Sequence, residues 1–340
     1  MTDFGMTRRS ALALLSTLPV SFIGREVFAQ AIASLAERAA SEDPAVWYES
    51  SRPDQGDQVI AAFAKAFPKA KVRHESIPGG NGVAARVTQE SMAGARTADI
   101  VTVGGGETTQ LLKANLIAPQ DFEAYGLDPK LVFSKRAVHT AVTVYCIVYN
   151  KTLVKKKPAG WDDLLDPQYK GEVGTWVRAA ALAELSRAWG EDKVMAYYNK
   201  LLAQEPMFFN SAAPLAQSVA AGEIALGLGS YHNSLPPMKK GAPIDIVPLD
   251  PSPMSSVFSF VASKARSPAT AALFISWLCS PAGNVVYEEA TDRGTPLIAA
   301  TKTAKFVAGL PTTEWPLDNK EPYAAIFEKM NRMVANVTVK

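Results

Sequence analysis

The sequence predicts an α/β protein of two lobes, each built on a central mixed β-sheet flanked by helices. Three observations carry this. Between Ala45 and Leu112, short β-branched and apolar runs alternate with stretches whose apolar residues recur at helical spacing. That β-α-β-α-β-α order implies a mostly parallel sheet with helices on both faces. The run Val142 to Tyr149 is apolar, β-branched and aromatic along its length, which suits a strand buried on both faces. The chain has 340 residues, and the roughly 310 left after its leader are too many for one typical core and enough for two.

Residues 1–31 read as an export signal that is removed. Thr7-Arg8-Arg9-Ser10 precedes an apolar run, Ala13 to Ile23, too short to span a bilayer. Ala29-Gln30-Ala31 or Ala31-Ile32-Ala33 offers a small-residue cleavage site. The paired arginines match a twin-arginine signal; an ordinary secretory signal that carries two arginines is the alternative. Either route places the mature protein in the periplasm.

The folded chain is expected to open at Ser41. Ala45 to Ser50 is a first strand, Asp57 to Phe67 a helix, Lys71 to Ile77 a second strand, Val83 to Ala93 a second helix, and Ala98 to Val103 a third strand. A further helix runs to Leu112. Three loops thus leave the carboxyl ends of successive strands and enter helices: 50–56, 78–82 and 104–107. In open α/β sheets that edge is where ligands bind, and each helix start aims free N–H groups at it. Ser50, Ser51, Arg52, Gly80, Asn81 and Gly105 are therefore candidate ligand contacts, with Arg52 offering a bidentate fork for carboxylate or phosphate. For any one loop the plain reading is a tight turn with a solvated arginine. Gly79-Gly80-Asn81-Gly82 lacks nucleotide-fingerprint spacing, and no phosphate-loop motif occurs.

After the strand ending at Asn150, Pro158-Ala159-Gly160-Trp161-Asp162-Asp163-Leu164-Leu165 reads as a turn, an N-cap and one short helix, stopped at Asp166-Pro167. Gly171 to Trp176 is another strand. This phrase resembles the periplasmic solute-binding proteins of ABC importers, in the branch that contains ferric-iron, thiamine and phosphonate binders. The resemblance covers nearly all of residues 45–335. It implies the type 2 periplasmic-binding-protein fold, with a ligand cleft between the lobes that closes about a hinge. The strand at Val142 would cross between lobes, giving lobe 1 as 45–145 plus 255–335 and lobe 2 as 146–254.

In the second lobe, Ala179 to Trp189 and Glu191 to Leu202 are helices, and Met207 to Phe209 resembles a strand. Asn210 or Ser211 is placed to cap a helix starting near Pro214. The segment Ala220 to His232 resembles the family's helix end feeding a strand whose tip meets the ligand, and Pro236-Pro237 is expected to break the chain after it. Ferric binders of this branch carry two adjacent tyrosines at that tip; here the pair is Tyr231-His232. Arg52 beside a ferric site would repel the metal. The expected ligand is therefore a small organic anion, carboxylate or phosphonate/phosphate. Arg178, Asn210 and Ser211 would contribute from this lobe, with Trp176 or Tyr231 as an apolar wall. Iron(III), held by Tyr231 and His232 and kept open by Glu49 as well, is the alternative, and a secreted hydrolase a second. His232, His74 and His139 each also read as hydrogen-bonded or solvated residues.

The remainder completes the resemblance: a strand at Ser255 to Ala262, a helix pair from Pro268 to Ala290 with Ser280-Pro281 starting its second member, an Arg293-Gly294-Thr295-Pro296 turn, and a terminal helix from Tyr323 to Val334. The formal charge of +2 gives no case for nucleic acid or membrane binding. Cys146 and Cys279 could pair in an oxidising compartment, but each sits in an apolar pattern that favours a buried free thiol. No zinc spacing, nucleophile elbow or metalloprotease motif is present. The expectation is a monomer with no cofactor and no catalysis, serving a membrane permease and ATPase.

Overall fold

The structure, a computed structural model, describes residues 22–340, with side chains from residue 28 onward. The paired arginines Arg8 and Arg9 lie outside the described residues. In chain order the elements are α1 (Phe22–Ala39), β1 (Ala45–Glu49), α2 (Pro53–Ala66), β2 (Val72–Ser76), α3 (Gly80–Met92), β3 (Ile100–Gly104), α4 (Gly105–Lys113), β4 (Val132–Phe133) and β5 (Ala137–Asn150). Then follow β6 (Val173–Trp176), α5 (Ala180–Trp189), α6 (Glu191–Ala203), β7 (Met207–Phe209), α7 (Ala212–Ala221), β8 (Leu226–Ser230), α8 (Tyr231–Lys239) and β9 (Ile244–Pro248). The chain ends with β10 (Ser252–Val261), α9 (Pro268–Leu278), α10 (Pro281–Thr291), α11 (Lys302–Phe306), β11 (Thr312–Thr313) and α12 (Glu321–Met333). The expected short helix at Trp161 is a 3-10 turn, Trp161–Leu165.

The chain divides into two units, one of residues 22–141 with Val257–Ala304, the other of Val142–Ser256 with Lys305–Lys340. The divisions fall inside β5, between Ala141 and Val142, and inside β10, between Ser256 and Val257. The segment after Ala304 differs from expectation: sequence reading kept residues up to 335 with the first lobe, and they cluster with the second unit. The cause is the apolar stripe of α12, which buries Ile326 and Met330 in that unit's core against α5.

In the first unit β1 lies between β2 and β3, parallel to both, and β10 runs antiparallel along the far side of β3. Its core gathers Trp47, Phe63, Phe274 and Tyr287, all fully buried, with Trp47 and Phe63 each about one ring-width from Phe274 (5.0 and 5.1 Å). Burying one such side chain is worth about 1.5–3 kcal/mol. Helix α1 belongs to this core, although sequence reading opened the fold at Ser41. Leu35 and Ala39, one helical turn apart, are buried beside α9, a stripe masked in sequence by the apolar leader before it. Just beyond, the Glu42 carboxylate accepts the N–H groups of Ala269 (3.0 Å) and Thr270 (2.7 Å), capping α9 behind Pro268. A cut after residue 31 leaves all of these residues in place. At α10 the Ser280 hydroxyl accepts from Gly283 N–H at 3.1 Å, the expected start.

In the second unit β5 is antiparallel to β8 on one side and β9 on the other, and β6 lies parallel between β8 and β7. Val339 bridges Phe208, so the chain end covers the exposed edge of β7. Pro236 and Pro237 do not break the chain as expected but sit inside α8. Proline removes a donor, not an acceptor, and Lys240 N–H closes the last turn on the carbonyls of Pro236 (3.3 Å) and Pro237 (3.2 Å). Cys146 and Cys279 are buried free thiols; burial pushes the Cys279 thiol up to about 12. Among the described residues no single helix is long and apolar enough to cross a membrane.

Candidate functional site

In the first unit the carboxyl ends of β2, β1 and β3 bring the three expected loops together. Ser76 Oγ donates to Ser51 O at 2.6 Å and Ile77 N–H to Glu49 O at 2.9 Å, tying the first loop to the second. Ser51 is buried and Ser50 half-buried. Gly80 and Gly105 are the first residues of α3 and α4, and Asn81 is exposed on α3. Arg52 is exposed, and Asp54 already engages its guanidinium bidentately, Nε–Oδ1 at 3.0 Å and Nη2–Oδ2 at 2.9 Å.

The centre of this edge is Glu49, a fully buried carboxylate at the end of β1. It accepts from Ser51 N–H and from Tyr287 Oη, the latter at 3.1 Å. Arg293 Nη1 lies 3.9 Å from Oε1, and His74 Nε2 3.7 Å from Oε2. Burial works against ionising this carboxyl. His74, Arg293 and Ser51 together outweigh it and hold the group below the usual carboxylate range. For Tyr287, burial and then the Glu49 charge push the phenol far up, so it stays a donor. The His74 ring packs so tightly on α2 that a Cβ at Gly56 would lie 2.0 Å from Nδ1, and among the described residues its buried Nε2 has no hydrogen-bond partner.

Arg293 owes its place to α10. Asp292 caps that helix in the left-handed region (φ +61°), turning the chain back, while Gln55 Nε2 donates to Ala290 O at 2.9 Å and fastens the end of α10 to the first turn of α2. The Arg293 side chain is one-quarter exposed and, among the described residues, its guanidinium makes no hydrogen bond. The sequence alone places Arg293 only in a turn and leaves His74 solvated or hydrogen-bonded. The available signal was Glu49 itself, since a carboxylate inside a buried strand needs a cationic partner.

In the second unit the carboxyl ends of β6 and β7 place Trp176 beside Asn210, whose carbonyl accepts from Trp176 Nε1 at 2.6 Å. The exposed Arg178 guanidinium sits over the rings of Trp176 (5.6 Å) and Phe327 (5.4 Å) and, among the described residues, has no ion pair. Tyr145, Thr175, Trp176, Arg178 and Ala212 border a cavity of about 10 Å³, room for one water. Ser211 occupies the N-cap of α7, but its half-buried hydroxyl makes no capping bond.

Tyr231 and His232 form the first turn of α8, and both are buried. The Tyr231 ring packs on Phe306 at 4.4 Å. The Asn233 amide, a donor, lies 2.9 Å from His232 Nε2, which occupies that nitrogen as an acceptor. Among the described residues no group of three or more His, Cys, Asp or Glu side chains is arranged to hold a metal ion. His139 is buried, with Nδ1 3.0 Å from Thr295 Oγ1, and burial lowers its pKa to about 4, so it is neutral and structural.

Comparison with known proteins agrees with the fold. The sequence profile of the family described as bacterial extracellular solute-binding protein matches residues 58–312. An uncharacterized protein of Haemophilus influenzae is 28% identical over 157 residues, 44% of this chain and 44% of that protein, so the chain spans under half the length of that relative. Iron-bound HitA from Pseudomonas aeruginosa superposes with a TM-score of 0.72 at 16% identity, covering 86% of this chain and 99% of that one. The periplasmic binding protein AfuA from Actinobacillus pleuropneumoniae, with fructose-6-phosphate bound, gives 0.67 at 19% identity over 86% and 98%. The spermidine/putrescine ABC transporter substrate-binding protein PotD of Streptococcus pneumoniae gives 0.66 at 15% identity over 85% and 99%.

Proposed function

Because the chain belongs to the bacterial extracellular solute-binding protein family, we propose that it is the capturing component of an ABC importer for a small organic anion. Family membership implies a location outside the cytoplasm. Export through the twin-arginine route by way of Arg8-Arg9, action as a monomer, and delivery to a membrane permease and ATPase complete the reading. It is a binding protein and not an enzyme.

One observation carries the choice of an anion. Each unit holds a guanidinium at the carboxyl edge of its sheet that makes no hydrogen bond among the described residues, Arg293 in the first and Arg178 in the second. Arginine's planar fork suits carboxylate and phosphate oxygens. The free N–H groups at the start of α7, which Ser211 leaves uncapped, favour negative charge as well. Ligands as different as iron, a sugar phosphate and polyamines are named for neighbours of this fold, so side chains and not fold must decide. Against the iron alternative stand the engagement of His232 Nε2 by Asn233 and the packing of Tyr231 on Phe306.

The test is a thermal-shift screen of the mature protein against phosphate, alkylphosphonates and mono- and dicarboxylates. Hits are repeated on Arg178→Gln and Arg293→Gln. Each variant is expected to lose at least tenfold in affinity. Unchanged affinity in both variants, or stabilisation by iron(III) alone, would defeat the reading.

A further inference from the structure

We propose that the ligand received by the first unit is a zwitterion, its anionic end held by Arg293 and its cationic end by Glu107. This rests on the organic-anion reading and narrows it.

Glu107 is the third residue of α4, a position from which a glutamate ordinarily reaches back to the N-cap backbone. Here it makes no hydrogen bond and no ion pair among the described residues. Its half-buried carboxylate lies beside the N-cap Gly104, at the end of β3, and faces Gly80, the first residue of α3. A Cβ placed on Gly104 would stand 2.7 Å from Oε2, and one on Gly80 would stand 3.6 Å from Oε1. The two glycines therefore make the space in which this carboxylate sits, above the end of β3 and the start of α3. Because β1 lies between β2 and β3, the Glu49–Arg293 pair at the tip of β1 shares this edge with Glu107.

Charge at the edge points the same way. The Glu49 charge faces Arg293, and that of Arg52 is matched by Asp54. Glu107 is left over, with no ion pair among the described residues. A purely anionic ligand meeting Arg293 would enter a field with an excess of carboxylates. A ligand that also carries an ammonium group supplies donors to Glu107, which has only acceptors to offer, and offsets that excess. Amino-carboxylates and amino-phosphonates fit this pattern better than simple carboxylates and phosphonates do.

Isothermal titration of the mature protein with matched pairs tests this: aminomethylphosphonate against methylphosphonate, and β-alanine against propionate. The amine-bearing member of at least one pair is expected to bind ten times or more tighter. Glu107→Gln should bring that ratio to within about threefold, and Glu107→Asp, which keeps the charge, should preserve part of it. Thermal melts check that both variants are folded. Equal affinity within both pairs overturns the zwitterion and leaves the anion reading standing. A preference that survives Glu107→Gln in a folded protein overturns the role of Glu107. Failure of all four probes overturns the proposal, and if iron(III) binds instead the anion reading falls with it.

Discussion

Replacing Arg293 by glutamine should destabilise the first unit, because it leaves the buried charge of Glu49 without its nearest fixed cation. At 3.9 Å separation and an effective dielectric of about 20, the pair attracts by about 4 kcal/mol. The guanidinium is one-quarter exposed, the contact is longer than a hydrogen bond, and Ser51 N–H and Tyr287 Oη stay in place. The expected net loss is therefore about 1–3 kcal/mol. The acid limb gives a second readout. Glu49 has a folded pKa below its ordinary value of 4.5, so its contribution is present above that value and is lost as pH falls through the depressed one. Without Arg293 the folded pKa rises, and the variant should lose stability at higher pH than the wild type. Urea denaturation between pH 3 and pH 7, with amide exchange over β1 to assign the change to the first unit, measures both. Arg52→Gln is the control, since the exposed Arg52–Asp54 pair should contribute nothing measurable. If Arg293→Gln behaves like that control at every pH, the reasoning about Glu49 is wrong.

Tyr287→Phe removes one hydrogen bond to the same carboxylate and should cost about 1–3 kcal/mol in the same urea experiment, with Trp47 still against the ring. Met330→Ala should cost about 2–5 kcal/mol and speed amide exchange in α5, the helix α12 packs on; faster exchange confined to the first unit would contradict the placement of α12. In the second unit Glu184 and Glu314 share Lys320, at 2.9 and 3.6 Å. Burial, then the Glu314 charge, raises the Glu184 pKa to about 8 despite Lys320. A raised folded pKa gives stability that is full below the unfolded value and lost as pH climbs through about 8. Urea midpoints should thus fall from pH 6 to pH 9, and fall less in Glu314→Gln; a flat wild-type profile would refute this.

What could be read from sequence was local or periodic. The strands and helices from Ala45 to Lys113 carry their alternation on their surface, and β5 announces itself because a strand buried on both faces has no polar side to hide. Long-range partners were not legible. The stripe of α12 shows that it must pack, not against which unit. The stripe of α1 is continuous with an apolar leader, so Leu35 and Ala39 read as its tail. Glu49 meets Tyr287 across 238 positions, a distance no local pattern spans. Arg52 and Arg293 are the same chemistry in the sequence. What separates them is Asp54 two residues away on one side and a buried carboxylate from another strand on the other.

Native mass spectrometry of the protein as purified, followed by denaturation and identification of what is released, tests the central claim most directly. The expected result is one small organic anion per chain, with occupancy lost in Arg293→Gln and Arg178→Gln. Retained iron with a tyrosinate absorption band that disappears in Tyr231→Phe would contradict it.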